Sequence, residues 1–531
     1  MTIIEQLEKD FGHAVSPSDK ADYQFACFNI AKAKGKKPLD VANEMAREFK
    51  SKVARVEVSP PGFLNFYITD EALEKIGADV LKSGKLPLPA ADGRTVFFDY
   101  GGANVAKELH IGHLRSPIIG EALRRVFEAF GHKTISCTYL GDWGLQRGLV
   151  IAELEGQDVD ITLDMLNEVY PRASKRKELD EEFKKRAEDI TKRLQDLEEP
   201  YFSIWKKMRA VSVEKIRENY ETLGCRFDYY NGESNAQEFV DQILDDLQKK
   251  GVAYIDKDCL IMDVKEESDT GPMPPILLKK GNGGDLYATS DVVTIWKRFG
   301  EHKPHEFVYI TDARQELHFK QVFRAVKKGS LVPCDTKLTH IGYGTINGAD
   351  GKPFKTRSGG TIKLEDVINM VTDAAQKKLS ESGRVSDYAT AQKIGLAALK
   401  FADLSSTVRK DYIFDIDAFT SFEGKTGPYL LYTVARINSV LEKFDGMSQP
   451  LQLNRPIFTA IIRLAESFSG AAQNYTLNGI VDATYNLAQE FNNFYANHNI
   501  IKGGHTELAR LVKTALVFAL DKLGIDTVEK M

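Results

Sequence analysis

Apolar positions along the chain switch between a period near two and a period near three and a half, and the switches divide it into regions. Up to about residue 90, helical segments lead to a strand-like stretch, Arg55-Val56-Glu57-Val58, then Pro60-Pro61-Gly62 and Phe63-Leu64-Asn65-Phe66-Tyr67. The run Leu86-Pro87-Leu88-Pro89-Ala90-Ala91-Asp92-Gly93 reads as a linker, because proline and glycine interrupt any regular element. From about 94 to 150 strand, loop and helix alternate as in a doubly wound parallel sheet, beginning with the buried strand Thr95-Val96-Phe97-Phe98-Asp99-Tyr100. Residues 160 to about 220 are helical and dense in mixed charge, the pattern of a solvated insertion laced with i,i+4 pairs. Short apolar strands return between about 276 and 365, as in Phe307-Val308-Tyr309-Ile310 and Leu338-Thr339-His340-Ile341. Beyond about 385 the pattern is that of a helix bundle.

Length and charge narrow the classes. A chain of 531 residues exceeds one hydrophobic core, and the expectation is about three to four domains. No apolar run is long enough to span a bilayer, and the acidic start, Met1-Thr2-Ile3-Ile4-Glu5, is no secretory signal. Five scattered cysteines without a CxxC pair argue against a disulfide framework or a structural zinc site, and point to a reducing cytoplasm. The net charge of −5 means that any nucleic acid must be met by a local patch or a shaped groove.

Chemistry concentrates where the Thr95–Tyr100 strand gives way to a helix. Lys107 precedes His110-Ile111-Gly112-His113 by three residues. Ligands of a parallel sheet sit beyond the carboxyl ends of its strands, where helix N-termini favour phosphate. Gly112 lets backbone approach a ring or a phosphate, and two imidazoles three apart on a first turn reach the same phosphoryl oxygens. The bland alternative is a helix cap and a surface histidine. Against it stands a glycine-rich loop, Gly342 to Gly360, which gathers Lys352, Lys355 and Arg357 and suits a pyrophosphate leaving group.

These residues carry a resemblance. His110-Ile111-Gly112-His113 matches the HIGH motif of class I aminoacyl-tRNA synthetases, and Asn104-Val105-Ala106-Lys107 before it with Leu114-Arg115-Ser116 after it resembles the arginyl-tRNA synthetases. Leu140-Gly141-Asp142-Trp143-Gly144, Leu286-Tyr287-Ala288-Thr289-Ser290-Asp291, Gln315-Glu316-Leu317-His318-Phe319, Phe354-Lys355-Thr356-Arg357-Ser358-Gly359 and Phe422-Glu423-Gly424-Lys425-Thr426-Gly427-Pro428-Tyr429 follow in that family's order. So does the terminal Leu523 to Met531. The resemblance implies ATP-dependent activation of L-arginine to arginyl-adenylate, generally with tRNA bound, then transfer to the 3′ end of tRNA-Arg. It implies an α/β Rossmann-type parallel-sheet catalytic domain with helical insertions over 91–385, the inserted region lying at about 155–275. A small α/β N-terminal domain at 1–90 would touch the tRNA elbow, and an all-α domain at 386–531 would bind the anticodon. Magnesium is expected with ATP, no protein metal site is expected, and the family is mostly monomeric.

One departure stands out. The second class I motif, KMSKS, is absent, its first lysine falling near Pro353 beside Lys352 and its second at Thr356. The resemblance implies that Lys107, just before HIGH, supplies the cation that the loop lacks. The expected catalytic group is thus Lys107, His110 and His113, with Gly112, Lys352 and Lys355 also at ATP.

An arginine substrate cannot be buried without carboxylates, since a guanidinium carries five donors. Asp291, four residues after Tyr287, shares its side of a helix or tight turn. By position in the family's motifs Glu233, Tyr287 and Asp291 are expected at the guanidinium, and Asp99, Asn104 and Gln315 at the α-amino and carboxylate end. Trp143 reads as packing and His318 as an ordinary core or surface histidine. The resemblance puts Phe63 and Asn65 at the tRNA elbow and Tyr495 and Met531 at the anticodon loop, while Arg436, in Tyr432-Thr433-Val434-Ala435-Arg436, is a candidate phosphate contact. Two other readings are a small-molecule adenylate-forming enzyme and an RNA-binding relative without activity. The helical C-terminal region speaks against the first, and the intact Lys107, His110, His113 and Asp291 against the second.

Overall fold

The computed structural model describes residues 2–90, 92–157, 160–281, 286–352, 354, 361–383, 387–446 and 449–531. They fall into two units, Asp92–Ala375 with Ala402–Phe419, and Met1–Ala91 with Gln376–Phe401 and Thr420–Met531.

The first unit is built on a six-stranded sheet. Lys337–Tyr343, Glu306–Asp312, Thr95–Asp99 and Lys133–Gly141 lie side by side, and the short Ala103–Asn104 and Tyr229–Gly232 strands both pair with Lys133–Gly141. Every pairing is parallel. Val96, Phe97, Phe98, Phe307 and Val308 are almost fully buried, as required of strands covered on both faces. The chain leaves Thr95–Asp99 toward Lys133–Gly141 and later returns to its other side through Glu306–Asp312, so the strand order reverses there. That reversal opens a crevice at the carboxyl edge.

The charged insertion forms three helices, Leu163–Leu179, Glu181–Gln195 and Tyr201–Thr222. Their apolar faces close over Trp143, Val150 and Trp205. Part of their charge binds back to the Leu145–Leu154 helix, Arg172 pairing with Glu153 at 2.7 Å. A small antiparallel sheet, Tyr254–Asp256, Cys259–Met262 and Ile276–Lys279, completes the inserted region.

The second unit joins a four-stranded antiparallel N-terminal sheet to the C-terminal helices Gly427–Glu442, Arg455–Asn474, Asn478–Asn497 and Thr506–Lys522. The sequence regions at its two ends, read as separate textures, share one packed body. Tyr23 donates its hydroxyl hydrogen to Glu466, and the Arg463 guanidinium lies 4.5 Å from the Tyr23 ring. Residues 402–419, expected with the C-terminal bundle, belong instead to the unit with the parallel sheet. Buried Asp403 ties them there, accepting from Arg115 Nε at 2.7 Å. Among the described residues no helix is long and apolar enough to cross a membrane.

Candidate active site

The motif after Thr95–Asp99 does not continue directly into a helix. His110 is extended, a single 3₁₀ turn covers Ile111–His113, and only then does the Arg115–Ala129 helix begin. The His110 amide donates to His113 Nδ1 at 3.0 Å, and the Gly112 amide donates to His110 Nδ1 at 3.1 Å. With both Nδ1 atoms used as acceptors, each neutral ring carries its proton on Nε2. The ring centroids lie 4.0 Å apart. Burial, then the charge of Lys107, pushes the His110 pKa down to about 4. Burial, then His110 and Lys107, pushes that of His113 down to about 3. The motif thus offers neutral N–H donors at pH 7. Gly112 is required by the His110 ring, since a Cβ there would meet it at 2.8 Å.

The same segment is strapped to the downstream end of the glycine loop. Ile111 donates its amide to the Ile362 carbonyl at 3.0 Å, and Leu364 donates to Leu109 at 2.9 Å. Glu108 pairs with Lys363 at 2.7 Å. At the upstream end Arg115 Nη1 donates to the Gly344 carbonyl at 2.8 Å. His110, Gly112, Arg115, Asp312, Arg314 and Phe354 line a cavity of about 250 Å³ between these anchors. Lys107 is exposed beside the motif and Lys352 is exposed outside that lining. Lys355 lies outside the described residues.

A second cavity, of about 430 Å³, opens at the carboxyl ends of the strands. Asp99, Asn104, Glu233, Tyr287, Asp291 and Gln315 all line it. The sequence separates them by more than two hundred positions; the sheet's edge brings them together. Asp99 ends the central strand, Glu233 follows the last residue of Tyr229–Gly232, and Tyr287 opens the helix Tyr287–His302 with Asp291 one turn later. Tyr287 stands at the rim, 68% exposed.

The three acids differ electrostatically. Burial raises the Asp99 pKa while Arg298, 2.5 Å away, opposes the rise. Burial pushes Glu233 up to about 8, with Arg147 acting in the other direction. Asp291 Oδ2 lies 2.6 Å from His318 Nε2. His318, read in the sequence as an ordinary histidine, therefore belongs to this lining. Arg298 was missed as well, although its place seven residues after Asp291 on one helix put both on one side. Trp143 is buried against Trp205 as expected of a packing residue, and its amide also donates to Glu233 Oε2 at 3.2 Å.

In the other unit, Phe63, Asn65 and Tyr67 alternate along one strand and share the face opposite buried Leu64, Phe66 and Ile68. Phe63 is half-buried, edge-on to exposed Phe28, whereas Asn65 is only 9% exposed. Arg436 stacks over Tyr432 and Tyr495, 4.6 and 5.0 Å from their ring centroids, and donates to Asn492. The C-terminal tail runs past the same helix, where Asn438 donates to the Glu529 carbonyl, and Met531 is half-buried. Among the described residues no group of three or more His, Cys, Asp or Glu side chains could hold a metal ion.

Residues 76–416 match the family described as tRNA synthetases class I (R), catalytic domain. Residues 430–531 match the DALR anticodon binding domain, and 5–68 the arginyl tRNA synthetase N terminal domain. The arginine–tRNA ligase of Alkaliphilus oremlandii is 38% identical, over 100% of this chain and 98% of its own. The chain belongs to the arginyl-tRNA synthetase family. A second member, the arginine–tRNA ligase of Agathobacter rectalis, is 36% identical over 100% of this chain and 99% of its own.

Solved arginyl-tRNA synthetases share the fold. That of Plasmodium falciparum superposes with a TM-score of 0.85 at 23% identity, covering 100% of this chain and 98% of its own. That of Thermus thermophilus gives 0.82 at 23% identity, with 100% and 99% covered. The stretch matched to the class I catalytic domain contains every residue lining either cavity. The family's other two models cover the strand of Phe63 and Asn65, the helix of Tyr495, and the helix of Arg436 from residue 430 onward.

Proposed function

We propose that this chain charges tRNA-Arg: it joins L-arginine to ATP as arginyl-adenylate, releasing pyrophosphate, and passes the arginyl group to the 3′ end of the tRNA. The observation that carries this reading is the shared cavity of Asp99, Asn104, Glu233, Tyr287, Asp291 and Gln315 at the sheet's carboxyl edge. Glu233, Asp291 and Tyr287 take the guanidinium; Asp99, Asn104 and Gln315 take the α-amino and carboxylate end.

In the first step an oxygen of the arginine carboxylate bonds to the α-phosphorus as the bond to the bridging oxygen breaks, and pyrophosphate carries the electron pair away. Charge builds on the phosphoryl oxygens, which neutral Nε2–H groups of His110 and His113 stabilise without giving up a proton. Lys107 neutralises the leaving phosphates from the side of the motif, with Lys352 and Lys355 from the loop, and Gly112 leaves room for the nucleotide. Magnesium bound with ATP would offset part of the charge on its phosphates. In the second step a terminal ribose hydroxyl of the tRNA attacks the adenylate carbonyl carbon, the carbon–oxygen bond to the phosphate breaks, and AMP leaves as the hydroxyl proton passes to its phosphate or to solvent.

Residues 1–90 serve the tRNA elbow through Phe63 and Asn65, the catalytic domain is the unit Asp92–Ala375 with Ala402–Phe419, and the helices beyond it read the anticodon through Arg436, Tyr495 and Met531. The chain acts as a monomer in the cytoplasm. The test is a charging assay with arginine, ATP and tRNA-Arg, each omitted in turn. Charging that needs all three supports the reading; adenylation of another amino acid, or of a small molecule without tRNA, ends it.

A further inference from the structure

In the larger cavity each of the three acids has one oxygen tied to the protein. Asp99 Oδ2 accepts from Arg298 at 2.5 Å, Glu233 Oε2 from the Trp143 amide at 3.2 Å, and Asp291 Oδ2 from His318 Nε2 at 2.6 Å. Among the described residues no donor reaches the other oxygen of Asp291 or Glu233. His318 lies one turn after Gln315, and its own position is braced. Phe319 meets its ring edge-on at 5.2 Å and stacks on His340 at 4.8 Å, while His340 Nε2 shares a 2.8 Å hydrogen bond with the Thr311 hydroxyl.

A carboxylate turns easily about its last torsion, so a free Asp291 would accept from any cation in reach. Fixed at one oxygen, it offers a single acceptor in one direction. Two such acceptors, from Asp291 and Glu233, fit a planar fork of N–H donors. A point-like ammonium gains nothing from their fixed directions. We infer that His318 is a specificity-determining positioning residue, which orients Asp291 so that the cavity selects a guanidinium over an ammonium side chain. This rests on the reading of the cavity as the arginine site.

The experiment measures charging by H318A, H318Q, D291N and the H318A/D291N double variant, with KM for arginine and for ATP and the inhibition constant of L-lysine. H318A is expected to raise the arginine KM about tenfold, as for a lost hydrogen bond to a charged group, while the ATP KM and the lysine constant stay unchanged. The arginine-over-lysine preference falls accordingly. H318Q, whose amide donates from nearly the same reach as Nε2, restores most of it. H318A adds nothing in the D291N background. An unchanged arginine KM in H318A, an equal rise in both KM values, or an H318Q as defective as H318A overturns the inference alone. An arginine KM untouched by D291N overturns the cavity reading itself.

Discussion

Arg298 donates from Nη1 to Asp99 Oδ2 at 2.5 Å, both side chains almost wholly out of water. The guanidinium lies over the Phe97 and Tyr139 rings, at 4.8 and 5.1 Å, and touches the Tyr309 hydroxyl and the Cys137 sulfur. It is a resident cation beside the cavity, and it fixes the acid that ends the central strand.

Breaking this pair from one side strands a buried charge. Arg298→Met is expected to cost roughly 3–5 kcal/mol of stability, and adding Asp99→Asn recovers part of it, because a neutral pair no longer needs a counter-ion. Calorimetric unfolding of the full chain reads this directly. Equal loss in single and double variants would contradict it.

Glu233 sets a pH dependence. Its folded pKa of about 8 lies above the ordinary carboxyl value, so between those limits the free protein holds a proton that the unfolded chain has released. Stability from this group therefore falls as pH rises through that window, and is lowest above pH 8. Arginine binding runs the other way, since a guanidinium favours the carboxylate. kcat/KM for arginine is expected to rise up to about tenfold per pH unit toward pH 8 and then level off. Glu233→Gln should be poor and flat across the same range.

The imidazoles behave differently, because their pKa values, about 4 and about 3, lie below the working range. They should contribute no step to the rate between pH 5.5 and 7.5. His113→Ala is expected to slow adenylate formation about 10²–10³-fold, the loss seen for one donor to a developing oxyanion. Lys107→Ala should also slow it strongly. Both should retain tRNA affinity in a filter-binding assay, which separates chemistry from folding.

In the C-terminal helices, Tyr495→Ala removes a ring stacked by Arg436, and on the proposed reading that ring meets the anticodon. It is expected to weaken tRNA binding by about 1–3 kcal/mol, the worth of one base–aromatic stack. The arginine KM should not move. A change in that KM with unaltered tRNA affinity would deny Tyr495 its place at the RNA.

The sheet was legible in the sequence for a physical reason, and the lining of its cavity through motifs that resemble a known family. Continuous apolar strands such as Val96–Phe98 announce a parallel sheet, and the residues beyond their ends sit within motifs. What escaped was pairing at a distance. His318 gains meaning only from Asp291, and Arg298 only from Asp99, 199 positions away. No local period records such a partner. Nor did helix periodicity report that the charged Leu163–Thr222 region buries Trp205 beneath Trp143, because the mixed charge of its outer faces dominates the pattern. The packing of residues near 23 against residues near 466 was equally silent.

That last packing has a practical corollary. Gly77, in the Asp70–Ser83 helix, sits so close to Phe458 and Leu451 that a Cβ would meet them at 2.7 and 2.8 Å. Tyr23 and Arg463 seal the same seam. Residues 1–90 are thus no detachable appendage: a truncated enzyme beginning at the linker would bare this greasy seam to water, and should clump rather than survive as a smaller catalyst.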